Sequence, residues 1–113
     1  MDGHVNWYVS LRVLLAATAV CLLSCAGKQE RQEAYLLRGQ EYLDAQKYPE
    51  AEIEFRNALQ VNPKLAVAHF KLGKTYLAMK DFRGAFTELR RALDLDDDLP
   101  EARLELGRLC HGQ

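Results

Sequence analysis

Displaced against itself by 34 residues, the chain beyond Gln29 matches itself with no gap. Ala34 falls on Ala68 and Ala102, and Gly39 falls on Gly73 and Gly107. Tyr42 meets Tyr76, Ala51 meets Ala85, and Ala58 meets Ala92. Leu59 meets Leu93, Leu72 meets Leu106, and Phe55 is answered by Leu89. A fixed period of this length excludes most folds at once. Each period must be one supersecondary unit that buries its apolar face only by stacking on its neighbours.

Within a period the apolar residues recur at helical spacing. The pattern predicts helices over residues 30–45, 49–61, 65–79, 83–95 and 99–111. Pro49 stands near the first turn of a helix, where a missing N–H costs nothing. Asn62-Pro63-Lys64 ends the first unit, and Lys80-Asp81-Phe82 breaks the second pair. Gly39 and Gly73 lie inside helices, where glycine costs about 1 kcal/mol against alanine. Two equivalent glycines at that cost predict a close approach by a neighbouring helix. Ala51, Ala58, Ala85 and Ala92 recur seven apart and make a small-residue stripe for packing. Tyr42 and Tyr76 fill the space between, and Cys110 at the same place is expected in the core.

These residues resemble the tetratricopeptide repeat. Residues 32–65 supply Gly39, Tyr42, Ala51, Phe55, Ala58 and Pro63, with Arg38 where Leu is usual. Residues 66–99 supply Leu72, Gly73, Tyr76, Ala85, Leu89 and Ala92, with Asp97 in place of Pro. Residues 100–113 begin a third unit or a capping helix. The resemblance implies an all-α fold: a right-handed superhelical solenoid of antiparallel helix pairs, two full repeats plus a partial third.

It also implies a function. The family binds a peptide or helix of a partner protein in a concave groove lined by the first helix of each unit, and does no chemistry there. By the family's positions the groove is lined by Glu33, Leu36, Gln40, Leu43 and Asp44, then Val67, Phe70, Lys74, Leu77 and Ala78, then Leu104 and Arg108. Leu36, Phe70 and Leu104 stand 34 apart and are expected to form one apolar row. Members that clamp a chaperone's C-terminal carboxylate use basic and amide residues at places held here by Leu36, Gln40, Lys71, Glu101 and Glu105. The two acids would repel a carboxylate, which argues against that ligand.

The N-terminal segment belongs to a different class. No charged residue lies between Arg12 and Lys28. The apolar run Val13–Leu23 is shorter than the roughly 20 residues of a transmembrane helix and follows a basic flank, as in a signal peptide. Leu22-Leu23-Ser24-Cys25-Ala26 resembles a bacterial lipobox, with Leu three before a Cys and a small residue just before it. The resemblance implies a signal peptide over residues 1–24, a diacylated Cys25 as the new N-terminus and a lipidated tether over 25–31. Cys21 follows branched Val20 and would be discarded with the signal. Ala26, rather than Asp, implies delivery to the outer membrane, on its periplasmic face. More than one acyl chain gives stable anchoring.

The remaining features exclude more than they assign. A formal net charge of −1 supplies no general attraction to nucleic acid. The three cysteines form no CxxC pair and no disulfide framework. Asp94, Asp96, Asp98 and Glu105 fit places 1, 3, 5 and 12 of a calcium loop, but Leu99 stands where glycine is required. We expect a solvated turn there and no metal site. Cys110 and His111 are adjacent with no third group to complete a catalytic set, and His69 is expected to be exposed. No nucleophile motif, phosphate loop or cofactor site is present in the sequence, so an interaction protein is expected rather than an enzyme.

Three readings follow. The first is a lipid-anchored scaffold of the bacterial cell envelope. The second is a signal-anchored inner-membrane adaptor. The third is a fragment of a longer array of the exopolysaccharide-export type. Because solenoids of this kind need about three repeats to bury their faces, self-association through the incomplete third repeat is also expected.

Overall fold

In a computed structural model, residues 3–112 are described, and their side chains from Tyr8 onward. The order is α1 (Gly3–Asp44), α2 (Tyr48–Val61), α3 (Ala66–Ala78), α4 (Phe82–Leu95) and α5 (Pro100–His111), with no strand among the described residues. Helices α2 to α5 begin and end within about a residue of the expected limits. The first helix does not: it begins at Gly3, so residues 25–31 are helical as well. That stretch contains no proline and only one glycine, Gly27, so nothing in it stops a helix.

The chain divides into compact units at residues 1–30 and 31–113. In the first, side chains from Tyr8 to Ala26 are exposed, including Leu14, Leu22 and Leu23. The second is the repeat array. Its core holds Ala51, Phe55, Ala58, Ala85, Leu89 and Ala92, each with no exposed surface. The alanine stripe therefore packs as its spacing predicts.

The glycines explain how the pairs close. A Cβ built on Gly39 would lie 2.5 Å from Phe55 Cε1, and one on Gly73 would lie 2.9 Å from Leu89 Cγ. Each glycine is a socket, and the large residue of the following helix is its knob. The turns within pairs are also repeated. Lys47 N–H donates to Tyr42 O (2.8 Å) and Gln46 N–H to Leu43 O (3.1 Å), while Asp81 N–H donates to Tyr76 O (2.9 Å) and Lys80 N–H to Leu77 O (3.0 Å). These are Schellman caps. Their left-handed residues are Gln46 (φ 61°) and Lys80 (φ 62°), where glycine is usual.

Between pairs the chain turns on Asx bonds. Asn62 Oδ1 accepts from Lys64 N–H at 3.2 Å, and Asp96 Oδ1 accepts from Asp98 N–H at 3.0 Å. The acidic run near Asp96 is thus used as a turn. Asp81 caps α4 by accepting from Gly84 N–H at 3.0 Å.

Candidate partner-binding site

The first helix of each unit is residues 31–44 of α1, then α3, then α5. On the groove side they bring polar groups from successive units together. Lys71 Nζ donates to Gln40 Oε1, and Gln40 Nε2 donates to Asp44 Oδ1 at 2.8 Å. Burial holds the Lys71 ammonium below the usual lysine value, and the nearby Lys74 charge adds to that. Asp44 and Glu101 pull in the opposite direction, so both acids lie within electrostatic reach of Lys71. Lys74 itself is exposed, with its ammonium 5.6 Å from the centre of the Phe70 ring.

The expected apolar row is graded along the array. Leu36 is half-buried against the cluster around Phe55, and Phe70 is 9% exposed in a cluster with Leu89, Ala92 and Ala102. Leu104 is 56% exposed. The difference follows from what packs on each helix, because the second helix of a unit covers the first. Leu43 and Leu77 are half-buried on the same clusters, and Arg108 is exposed with Nη1 3.3 Å from Glu105 Oε1. The groove surface is therefore polar at Gln40, Asp44, Lys71, Lys74 and Arg108, with Leu104 as a large apolar side chain open to solvent.

Two expectations are corrected. His69 is 5% exposed, not solvated: Nδ1 lies 2.6 Å from Glu88 Oε2 and Nε2 lies 2.9 Å from the carbonyl oxygen of Pro63. It ties α3 to α4 and to the preceding turn. Cys110 is exposed rather than in the core, because it faces an open depression instead of a closely packed neighbour. It borders this depression, of about 310 Å3, with Phe82 and Phe86.

Sequence reasoning did not find the staple between the two units. Arg56 Nη2 donates to Tyr76 Oη at 2.7 Å, and Tyr76 Oη donates to Glu52 Oε1 at 3.0 Å. Burial raises the Tyr76 phenol above its usual value, and the bond to Tyr76 raises Arg56. The repeat pattern assigns the tyrosine to packing alone, and no spacing rule pairs residues 20 and 24 apart. Cys25 lies in unit 1 and is exposed.

A family profile described as "TPR repeat" matches residues 39–80, and one described as "Tetratricopeptide repeat" matches residues 66–99. Together they span more than half of the 113 residues. Among solved structures, the chain is similar to "First TPR of Spaghetti (RPAP3) bound to HSP90 peptide SRMEEVD". The TM-score is 0.70 at 22% identity, over 73% of this chain and 67% of that one, a likeness that establishes the fold. No curated protein matches the chain.

Proposed function

The chain belongs to the tetratricopeptide-repeat family, and from that premise we propose that it is a lipid-anchored interaction scaffold of the bacterial cell envelope, holding a peptide or helix of a partner protein in the groove of its repeats. The observation that carries the binding role is the polar row Gln40–Lys71–Lys74. It joins two units on the groove side and leaves the Lys74 ammonium exposed to a ligand. The similar solved structure holds a peptide, which supports a peptide or helix as the ligand class. A chaperone tail remains disfavoured by Glu101 and Glu105. Photo-crosslinking from a benzoylphenylalanine at position 77, in cells, tests the groove. Adducts lost on Gln40→Ala with Lys74→Ala support it. Adducts unchanged by that pair exclude it.

The anchor rests on Cys25 and the exposed apolar residues before it. A run of Leu14, Leu22 and Leu23 left open to water needs a cover. Mass spectrometry of the protein purified from bacterial membranes should show a diacylated Cys25 at the N-terminus, and an intact Met1 would overturn this. One observation favours the signal-anchored alternative: from Tyr8 to Asp44 the helix is long and apolar enough to cross a membrane, a test that signal sequences also pass. Globomycin separates the two, since it blocks cleavage of a lipoprotein and leaves a signal anchor unaffected.

A further inference from the structure

Where the first repeat meets the second, α2, α3 and α4 enclose a crevice of about 370 Å3. Leu59 of α2, Pro63 of the turn and Leu72 of α3 give it an apolar lining. Arg56 of α2 and Arg91 of α4 are exposed beside that lining, one from each repeat. None of the groove residues Gln40, Lys71 or Lys74 lines it.

The charged groups around the crevice say what fits there. Glu52 Oε1 lies 2.8 Å from Arg56 Nη2 and accepts from Tyr76 Oη at 3.0 Å, and Glu88 Oε2 lies 2.6 Å from His69 Nδ1. Both nearby carboxylates are thus turned to partners of their own. Arg91 pairs with no acid among the described residues. Arg56 meets Glu52 and Tyr76 through Nη2, which leaves its Nη1 and Nε N–H groups able to donate. A guanidinium presents paired N–H groups that match the two oxygens of a carboxylate. A doubly charged anion fits less well, because Glu52 and Glu88 would repel it. A bare ion of any charge would leave the apolar lining uncovered.

We propose that this crevice is a second interaction site, which docks an exposed segment of a partner protein carrying one acidic side chain between aliphatic ones. The carboxylate sits on Arg91, with Arg56 as a further donor, and the aliphatic neighbours cover Leu59, Pro63 and Leu72. Charge complementarity selects such a segment and turns away a basic one. The site shares no residue with the groove, so it stands or falls independently of what the groove holds.

The test uses the full chain in non-ionic detergent and, as probe, the capped peptide acetyl-Ala-Leu-Glu-Leu-Ala-amide, followed by NMR. Saturable shifts should appear at the His69 ring and at the Leu59 and Leu72 methyls. Arg91 has no acidic partner to lose, so Arg91→Glu should keep the helical circular dichroism, and it should weaken binding about fivefold. Arg90 is exposed on the same helix and does not line the crevice. Arg90→Glu makes the same change of charge and should alter binding by less than about twofold. A peptide with Lys in place of its Glu should bind Arg91→Glu more tightly than it binds the parent chain. Absence of a saturable shift, equal weakening by Arg90→Glu, or failure of the charge exchange overturns the proposal. So does inorganic phosphate that shifts the same residues at lower concentration than the peptide, since the crevice would then be a site for an anion alone.

Discussion

Gly73 and Gly107 are the same residue at the same place in the repeat, yet one is sealed and the other is open. Gly73 is covered by Leu89, which has no exposed surface, whereas no described residue comes within 4 Å of a Cβ built on Gly107. The contrast extends to their neighbours. Phe70 is in the core and Leu104 is exposed, while His69 is buried and Arg103 is not. A repeat position therefore does not determine its own burial. The helix that follows does, and residues with identical places in the pattern acquire different roles.

The comparison can be broken most forcefully at the knobs. Leu89→Ala should cost about 2–5 kcal/mol in urea unfolding, whereas Leu104→Ala should cost under about 1 kcal/mol. Equal losses would mean that α5 is covered in solution. Next come the glycines. Gly73→Ala must push Leu89 aside and should lose about 1–3 kcal/mol. Gly107→Ala should gain up to about 1 kcal/mol from helix propensity. Thermal melts of the two variants should move in opposite directions.

The bases give a smaller contrast. His69→Ala leaves Glu88 without its partner and should cost about 1–3 kcal/mol, while Arg103→Ala should stay within about 0.5 kcal/mol. The staple between units is the mildest test. Tyr76→Phe should cost about 1 kcal/mol. Because folding raises the Tyr76 pKa, its proton favours the folded state. That contribution is complete below the ordinary tyrosine value of 10.0 and is lost as pH rises above it. Tyr76→Phe should therefore lose less stability than the parent chain between neutral pH and pH values above 10.0.

The repeats were readable because both ends of each contact are written in the period. Gly39 and Phe55 recur as Gly73 and Leu89, so socket and knob announce each other. His69 and Cys110 were misread because burial there depends on the next element rather than on the residue's own place. The Schellman caps were hidden for another reason: Gln46 and Lys80 are neither glycine nor asparagine, so no turn signal marks them. In the groove, the family's positions mark Gln40 and Lys74, whereas the link through Lys71 joins side chains 31 residues apart, which no spacing rule pairs. At the N-terminus, the apolar run could be read as helix or as signal, and the extent of α1 past Cys25 could not be read at all.

The two caps at Gln46 and Lys80 have a mechanical consequence. A left-handed bend closed by two backbone hydrogen bonds is a stiff elbow, and each helix pair is locked by one. The turns between pairs have no such elbow: each carries one Asx bond, at Asn62 or Asp96, and the seams are otherwise bridged by side chains such as the Arg56–Tyr76–Glu52 staple. Under tension the array should yield seam first and lose a whole hairpin at a time, with α3 and α4 leaving together. A force trace with steps of one helix would show instead that the elbows give way before the seams.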